Sequence, residues 1–419
     1  LTTPVSARAA VSEPDTPPSP PGRLTATLAL LSFVVPLSID MYLPAFPAMA
    51  GELGTDAAGV QLTLTAFLIG LAVGQLVLGP LSDRYGRRTP ILVGTAVCAM
   101  ATALCAVAPS LGTLIALRFV MGFSGAAGVV VGRAVVTDLA SGVVAARIFG
   151  VLMALGGIAP IVAPLAGGVI LSGDRGWQAV FWVLTGISAL MLLAAWFFVP
   201  ESLPAERRQA GGLRGTFRAA GSVMTNRHYL GYTLAFCLAT GALFCYVSAS
   251  PFLLQNVLGF SVGQASIAFS ACALTATLSS VAAARLVGRY RPALLLRVGL
   301  TLMVVASAAA LVITLSGHLN RVWALGLVAL AFLGLGQVFS TATALALERV
   351  PHATGTGSAV LGTLQSGLGA LVAPLMGAAG EHSAVPLFVG MTLCALAAVL
   401  ALLLTRNADR SGPAVTAAA

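Results

Sequence analysis

The sequence predicts an all-α membrane protein of twelve transmembrane helices, arranged as two pseudo-symmetric six-helix bundles. Three observations carry this. Of 419 residues, 58% are apolar and 8% are charged, which would leave a water-soluble domain without a polar surface. The apolar residues gather into roughly twelve runs of about 20 residues, the length that crosses the hydrocarbon core of a bilayer. The first half of the chain also resembles the second at a shift of 210 positions, the mark of a duplicated unit.

Taken in chain order, residues 1–23 are rich in proline and serine and lack the apolar core and cleavage site of a secretory signal, so they read as a disordered cytoplasmic tail. Six spans then begin near residues 24, 58, 90, 112, 147 and 177, giving an N-terminal bundle over 24–199. A polar stretch at 200–227 carries Glu201, Glu206, Arg207, Arg208, Arg214, Arg218 and Arg227 and reads as a cytoplasmic linker. Six further spans begin near 228, 263, 292, 322, 355 and 384, giving a C-terminal bundle over 228–405 and a cytoplasmic tail over 406–419. An even number of spans places both termini on one side, and the arginine bias selects the cytoplasm of a plasma or inner membrane. All 22 basic residues are arginine; only Arg175 and Arg321 fall on the outer side, and Arg118 lies within a span.

The net charge of +9 is therefore a topology signal. No soluble domain carries a basic patch, so nucleic acid is not an expected partner. Cys98, Cys105, Cys237, Cys245, Cys272 and Cys394 all fall inside apolar spans without metal-ligand spacing and read as small buried hydrophobes. No phosphate-cradling GxxxxGK loop and no GxSxG elbow is present, so neither an enzyme nor a bound cofactor or metal is expected.

The repeat lays Val162-Ala163-Pro164-Leu165 on Val372-Ala373-Pro374-Leu375, Gly157 on Gly367 and Gly167 on Gly377. It also lays Ser38, Asp40, Tyr42 and Leu43 on Ser248, Ser250, Phe252 and Leu253, and a smaller slip sets Arg118-Phe119 on Ala331-Phe332. Two such halves, with a substrate site between them near the midplane, form a parallel-repeat transporter. The ionisable machinery is confined to the N-terminal half: Asp40 aligns with Ser250 in the repeat and Arg118 with Ala331. An ionised carboxylate deep in a span costs roughly 2.5 to 3.5 kcal/mol on insertion scales, which asks for a function. Burial and a nearby guanidinium push a carboxylate in opposite directions, so an acid facing a movable arginine can gain and lose a proton. Asp40 and Arg118 are the expected proton-coupling pair, with a static ion pair that fixes helix packing as the other reading.

Gly79 to Arg88, GPLSDRYGRR, places Asp83, Arg84, Arg87 and Arg88 in a sharp link between two spans, with Gly79, Pro80 and Gly86 permitting the turn. The string resembles the loop between helices 2 and 3 of the major facilitator superfamily. That resemblance implies a conformational gate at Gly79, Asp83, Arg84, Gly86, Arg87 and Arg88 that latches the halves in the outward-facing state. Leu117 to Ala127, LRFVMGFSGAA, looks like the fourth-helix signature, in which the arginine is tied to proton coupling. Gly156, Pro160, Pro164 and Gly168 share one face of the fifth span. They resemble the antiporter signature of helix 5, with Ala159 where a glycine is expected.

Further strings, SIDMYLP from Ser38, RAVVTD from Arg133, GWQAVFW from Gly176, PESL from Pro200 and SPFLLQNVLGFS from Ser250, resemble the Bcr/CflA group of bicyclomycin and chloramphenicol drug:proton antiporters. On that resemblance Asp40 carries the proton, Arg118 is its partner, and Asp83 with Arg84 forms the latch, reaching Arg133. A local pair between Arg133 and Asp138 is the other reading. A drug cavity needs aromatic walls and a few polar anchors. Asp40, Tyr42, Phe46, Phe67, Tyr246, Phe252, Gln337, Phe339 and Gln365 sit at suitable depths. The expectation is a monomeric exporter that exchanges a small organic drug, such as a phenicol or bicyclomycin, for protons across a lipid bilayer. Transport of an endogenous metabolite on the same scaffold, and a passive facilitator or channel, stay open as alternatives.

Overall fold

A computed structural model describes residues 22–173, 176–208, 213–378 and 380–405. The expected tails, apart from Gly22, Arg23 and the end of the last span, lie outside the described residues, as do Arg8, Arg175, Arg406 and Arg410. The described residues are helical with no strand, and twelve segments are long and apolar enough to cross a membrane. These are α1 (Gly22–Glu52), α2 (Ala57–Tyr85), α3 (Arg88–Ala106), α4 (Leu111–Leu139), α5 (Arg147–Leu171) and α6 (Gln178–Phe198). The second six are α7 (Arg227–Val257), α8 (Val262–Leu286), α9 (Pro292–Leu315), α10 (Arg321–Glu348), α11 (Pro351–Gly377) and α12 (Val385–Thr405). Each begins within four residues of its expected start. The chain is a multi-pass membrane protein, and a short helix, Leu213–Met224, lies in the linker between its halves.

The helices start where polar side chains can accept from free backbone N–H groups. Asp56 caps α2, Ser110 caps α4, Ser261 with Gln264 forms a capping box on α8, and Asn320 caps α10. All four lie on one face of the protein, here the far face; the loop at 79–88 and the linker lie on the other, here the loop face. Apolar side chains such as Val169, Phe197, Leu315 and Leu371 are exposed around the outside, as a lipid-facing surface requires.

Glycines bring the inner helices together. A Cβ at Gly70 or Gly122 would strike the backbone of the facing helix, so α2 and α4 touch main chain to main chain. Gly336 seats α10 on α8 in the same manner, the equivalent contact of the second half. The halves meet along two seams, α2 against α11 and α5 against α8.

Candidate functional site

The site begins where α1 breaks. Its first helix ends at Asp40, a 3-10 turn covers Leu43–Ala45, and a second helix runs over Phe46–Glu52. Pro44 has no N–H to give the Asp40 carbonyl, and Pro47 none to give Leu43, so two hydrogen bonds of a continuous helix are lost within one turn, which favours a break here. The break leaves backbone carbonyls to be satisfied from outside. Arg118, on α4 and fully buried, donates from Nη1 to the Ser38 carbonyl at 3.0 Å. Its guanidinium carbon lies 4.2 Å from the centre of the Tyr42 ring, 4.5 Å from Phe67 and 5.9 Å from Phe181. Aromatic faces attract such a cation, more so when it is desolvated. Arg118 Nε and Nη2 have no hydrogen-bond partner.

Asp40 is buried at 5% exposure, and no hydrogen bond or ion pair engages its side chain among the described residues. The expected Asp40–Arg118 pair is therefore not formed in this conformation. The break turns the Ser38 carbonyl to the guanidinium, and three aromatic rings complete its surroundings.

The expected cavity walls are divided among several places. Tyr42 and Phe67 pack on Arg118 inside the N-terminal half, and the Tyr42 hydroxyl lies 3.2 Å from Thr63 Oγ1. Phe46 meets Phe252 across the halves with ring centres 6.2 Å apart. Tyr246 is enclosed by Phe269 and Phe332 within the C-terminal half, and Phe339 packs on Phe236. Gln337 is half-buried on α10, with its Cβ against Gly299 of α9. Its amide Oε1 is buried without a hydrogen-bond partner among the described residues. Gln365 is half-buried on α11.

The 79–88 loop is organised by Arg87, which is 8% exposed. Its side chain bonds Asp83 at 2.5 Å, Ser82 at 2.7 Å and Asp138 of α4 at 2.9 Å. Burial works against its charge, but the hydrogen bonds and charges of Asp138 and Asp83 outweigh that and hold its pKa above the ordinary value. Arg84 instead lies over the ring of adjacent Tyr85, and Arg133 is exposed without an ion pair to Asp83 or Asp138. The expected Asp83–Arg84–Arg133 latch is not formed in this conformation, in which Asp83 and Asp138 both pair with Arg87. Gly86, with φ of 92°, ends α2 and turns the chain so that Arg87 folds back onto Asp83, whereas Arg133 lies more than a turn from Asp138 along α4.

Glu201, the acid of the PESL string, does more than mark the start of the linker. Its carboxylate accepts from the backbone N–H of Arg87 at 2.8 Å and of Arg88 at 3.4 Å, capping α3. Gly86 makes this possible with φ of 92°; a Cβ there would strike the Glu201 carboxylate. The signal available in sequence was an acid after a proline at the end of a span, facing a paired-arginine helix start.

On α5, Gly168 packs on Ser266 of α8 and Pro164 is buried, whereas Pro160 is half-buried and Gly156 is exposed. The four-residue face is therefore closed at the far end and open toward the loop end. Thr277 of α8 donates to the Gly157 carbonyl at 3.1 Å between these extremes.

Residues 28–374 match the family described as the Major Facilitator Superfamily. An uncharacterised transporter of that type, YdgK of Bacillus subtilis (strain 168), is 36% identical over 379 residues, covering 90% of this chain and 94% of its own. The bicyclomycin resistance protein homolog of Haemophilus influenzae is 32% identical over 389 residues, 92% of this chain and 97% of its own. The chloramphenicol resistance protein of Pseudomonas aeruginosa is 32% identical over 372 residues, 84% of this chain and 85% of its own. Among solved structures, a bacterial homolog of the human lysosomal transporter Spinster, inward-facing and unoccupied, superposes with a TM-score of 0.71. It shares 16% identity, covering 93% of this chain and 97% of its own, a likeness of fold.

Proposed function

The chain belongs to the Major Facilitator Superfamily, a membrane transporter and not an enzyme, and on that premise we propose that it exports a small organic antibiotic in exchange for protons. The relatives named for bicyclomycin and chloramphenicol resistance support a drug as cargo. In this reading both termini and the loop face are cytoplasmic, the membrane is the cell membrane, and the halves rock about the midplane.

The observation that carries the reading is the state of the buried charges. Arg118 is held by a backbone carbonyl and aromatic rings, while Asp40, two residues from that carbonyl, has no cation. A lone carboxylate at this depth is costly, so this conformation suits an Asp40 that carries a proton. Release of that proton lets the carboxylate compete with the Ser38 carbonyl for the guanidinium, and a charge-assisted bond is the stronger of the two. The exchange moves the broken end of α1 relative to α4 and so couples protonation to the shape of the site. A proton entering down 100 mV releases about 2.3 kcal/mol, enough for roughly a forty-fold gradient of a neutral drug.

The test is drug accumulation in a pump-deficient host expressing the wild type or Asp40→Asn, with and without an uncoupler, across a phenicol, bicyclomycin, sulfonamide and fluoroquinolone panel. The wild type excludes at least one drug, and both the substitution and the uncoupler abolish exclusion. Exclusion that survives both would make Asp40 structural and end the proton-coupled reading.

A further inference from the structure

Closure of the far face rests on few bonds. Gln61 of α2, 1% exposed, donates from Nε2 to the Ser248 carbonyl of α7 at 3.1 Å. Gln255, at the end of α7, donates from Nε2 to the Pro44 carbonyl in the break of α1 at 2.9 Å. Each bond crosses from one half to the other, in opposite directions. The seam around them leaves only gaps the size of about one water, one lined by Pro44, Pro164, Ser250, Gln255 and Phe269 and another by Gln61, Phe252, Met376 and Leu387.

We propose that Gln61 and Gln255 are the far-face gate of the transporter, two amides that clasp backbone carbonyls of the opposite half and release them when that side opens. The inference rests on the alternating-access reading above and adds residues which that reading does not use. Glutamine suits the task because it is neutral: separating the halves exposes no unpaired charge, and water replaces each lost bond at small net cost. Gln61 Oε1 has no partner in the closed state, so opening also supplies the bond it lacks. The same residue sets the fit of the seam. A Cβ at Gly377 of α11 would lie 2.5 Å from the Ala58 nitrogen and 2.8 Å from Gln61 Oε1. The loop face is built otherwise, since Asp83, Arg87, Asp138 and Glu201 bond within the first half and its linker.

The test places spin labels at Gly51→Cys and His382→Cys, both exposed on the far face and on opposite halves, in a cysteine-free full chain in lipid nanodiscs. Pulsed dipolar spectroscopy then reads the ratio of long to short distances. Gln61→Leu and Gln255→Leu each raise that ratio by roughly two- to tenfold, the size of one hydrogen bond, and the double variant raises it further. Gly377→Ala raises it as well, by steric wedging with both amides intact. If Gly377→Ala shifts the ratio and neither leucine variant does, the face opens but the glutamines do not hold it, and the proposal fails. If the wild-type distance never changes with drug, pH or any variant, alternating access itself fails with it.

Discussion

Arg118 makes two kinds of contact that separate substitutions can resolve. Its ring partners act through their faces, and its Ser38 contact acts through a single N–H. Lysine keeps the charge but not the plane or the fork, so Arg118→Lys is expected to slow drug-proton exchange by about tenfold or more, the equivalent of one desolvated cation–π contact. An initial rate equal to the wild type would show that charge alone suffices. Tyr42 separates packing from hydrogen bonding. Tyr42→Phe keeps the ring on Arg118 and loses the Thr63 contact, costing about 1 kcal/mol of stability while transport continues. Thermal unfolding in detergent, read beside transport, checks both. Sequence made Arg118 conspicuous as a charge in an apolar span, but not its aromatic surroundings. Tyr42, Phe67 and Phe181 come from three different helices, and periodicity within one helix says nothing about which neighbour completes a box.

Among the elements, the start of α3 shows what a short motif leaves unsaid. The arginines and glycine of the 79–88 string were legible because a sharp basic link between apolar runs has few structural alternatives. The capping partner was not, because Glu201 lies more than a hundred residues away in the chain, beyond α6. Its carboxylate meets two free N–H groups and the positive end of α3, an arrangement worth about 1 kcal/mol. Glu201→Gln is expected to remove most of that and to make the remaining stability less sensitive to salt, since the lost interaction is the screened one. Melting measured at low and high ionic strength decides it; an unchanged salt response would mean that the charge of Glu201 contributes nothing. Span positions were read well for a related reason: a bilayer fixes helix length, and polar caps such as Asp56 and Asn320 mark the ends.

For the whole molecule, the half-chain repeat points to two six-helix halves but not to which end holds them together. Closure is a relation between halves, and the residues that carry it, Gln61 and Gln255, have no counterpart pattern in sequence that would set them apart from other buried amides. A rocking motion moves the ends of the helices far and the middle little. The Thr277 hydroxyl bond to the Gly157 carbonyl lies near the middle of α5 and α8, where halves that rock as proposed would keep contact whichever side is open. Thr277→Val keeps the shape and removes the donor. It is therefore expected to lower stability by about 1 kcal/mol while leaving the balance of open and closed far faces unchanged, because both states lose the same bond. The far-face spin-label distances and a melting curve on the same sample test this together. A shift in distances as large as that of Gln255→Leu would place Thr277 in the gate, and the pivot would then have to lie on the other seam, where Thr65 donates to the Ala370 carbonyl at 3.3 Å.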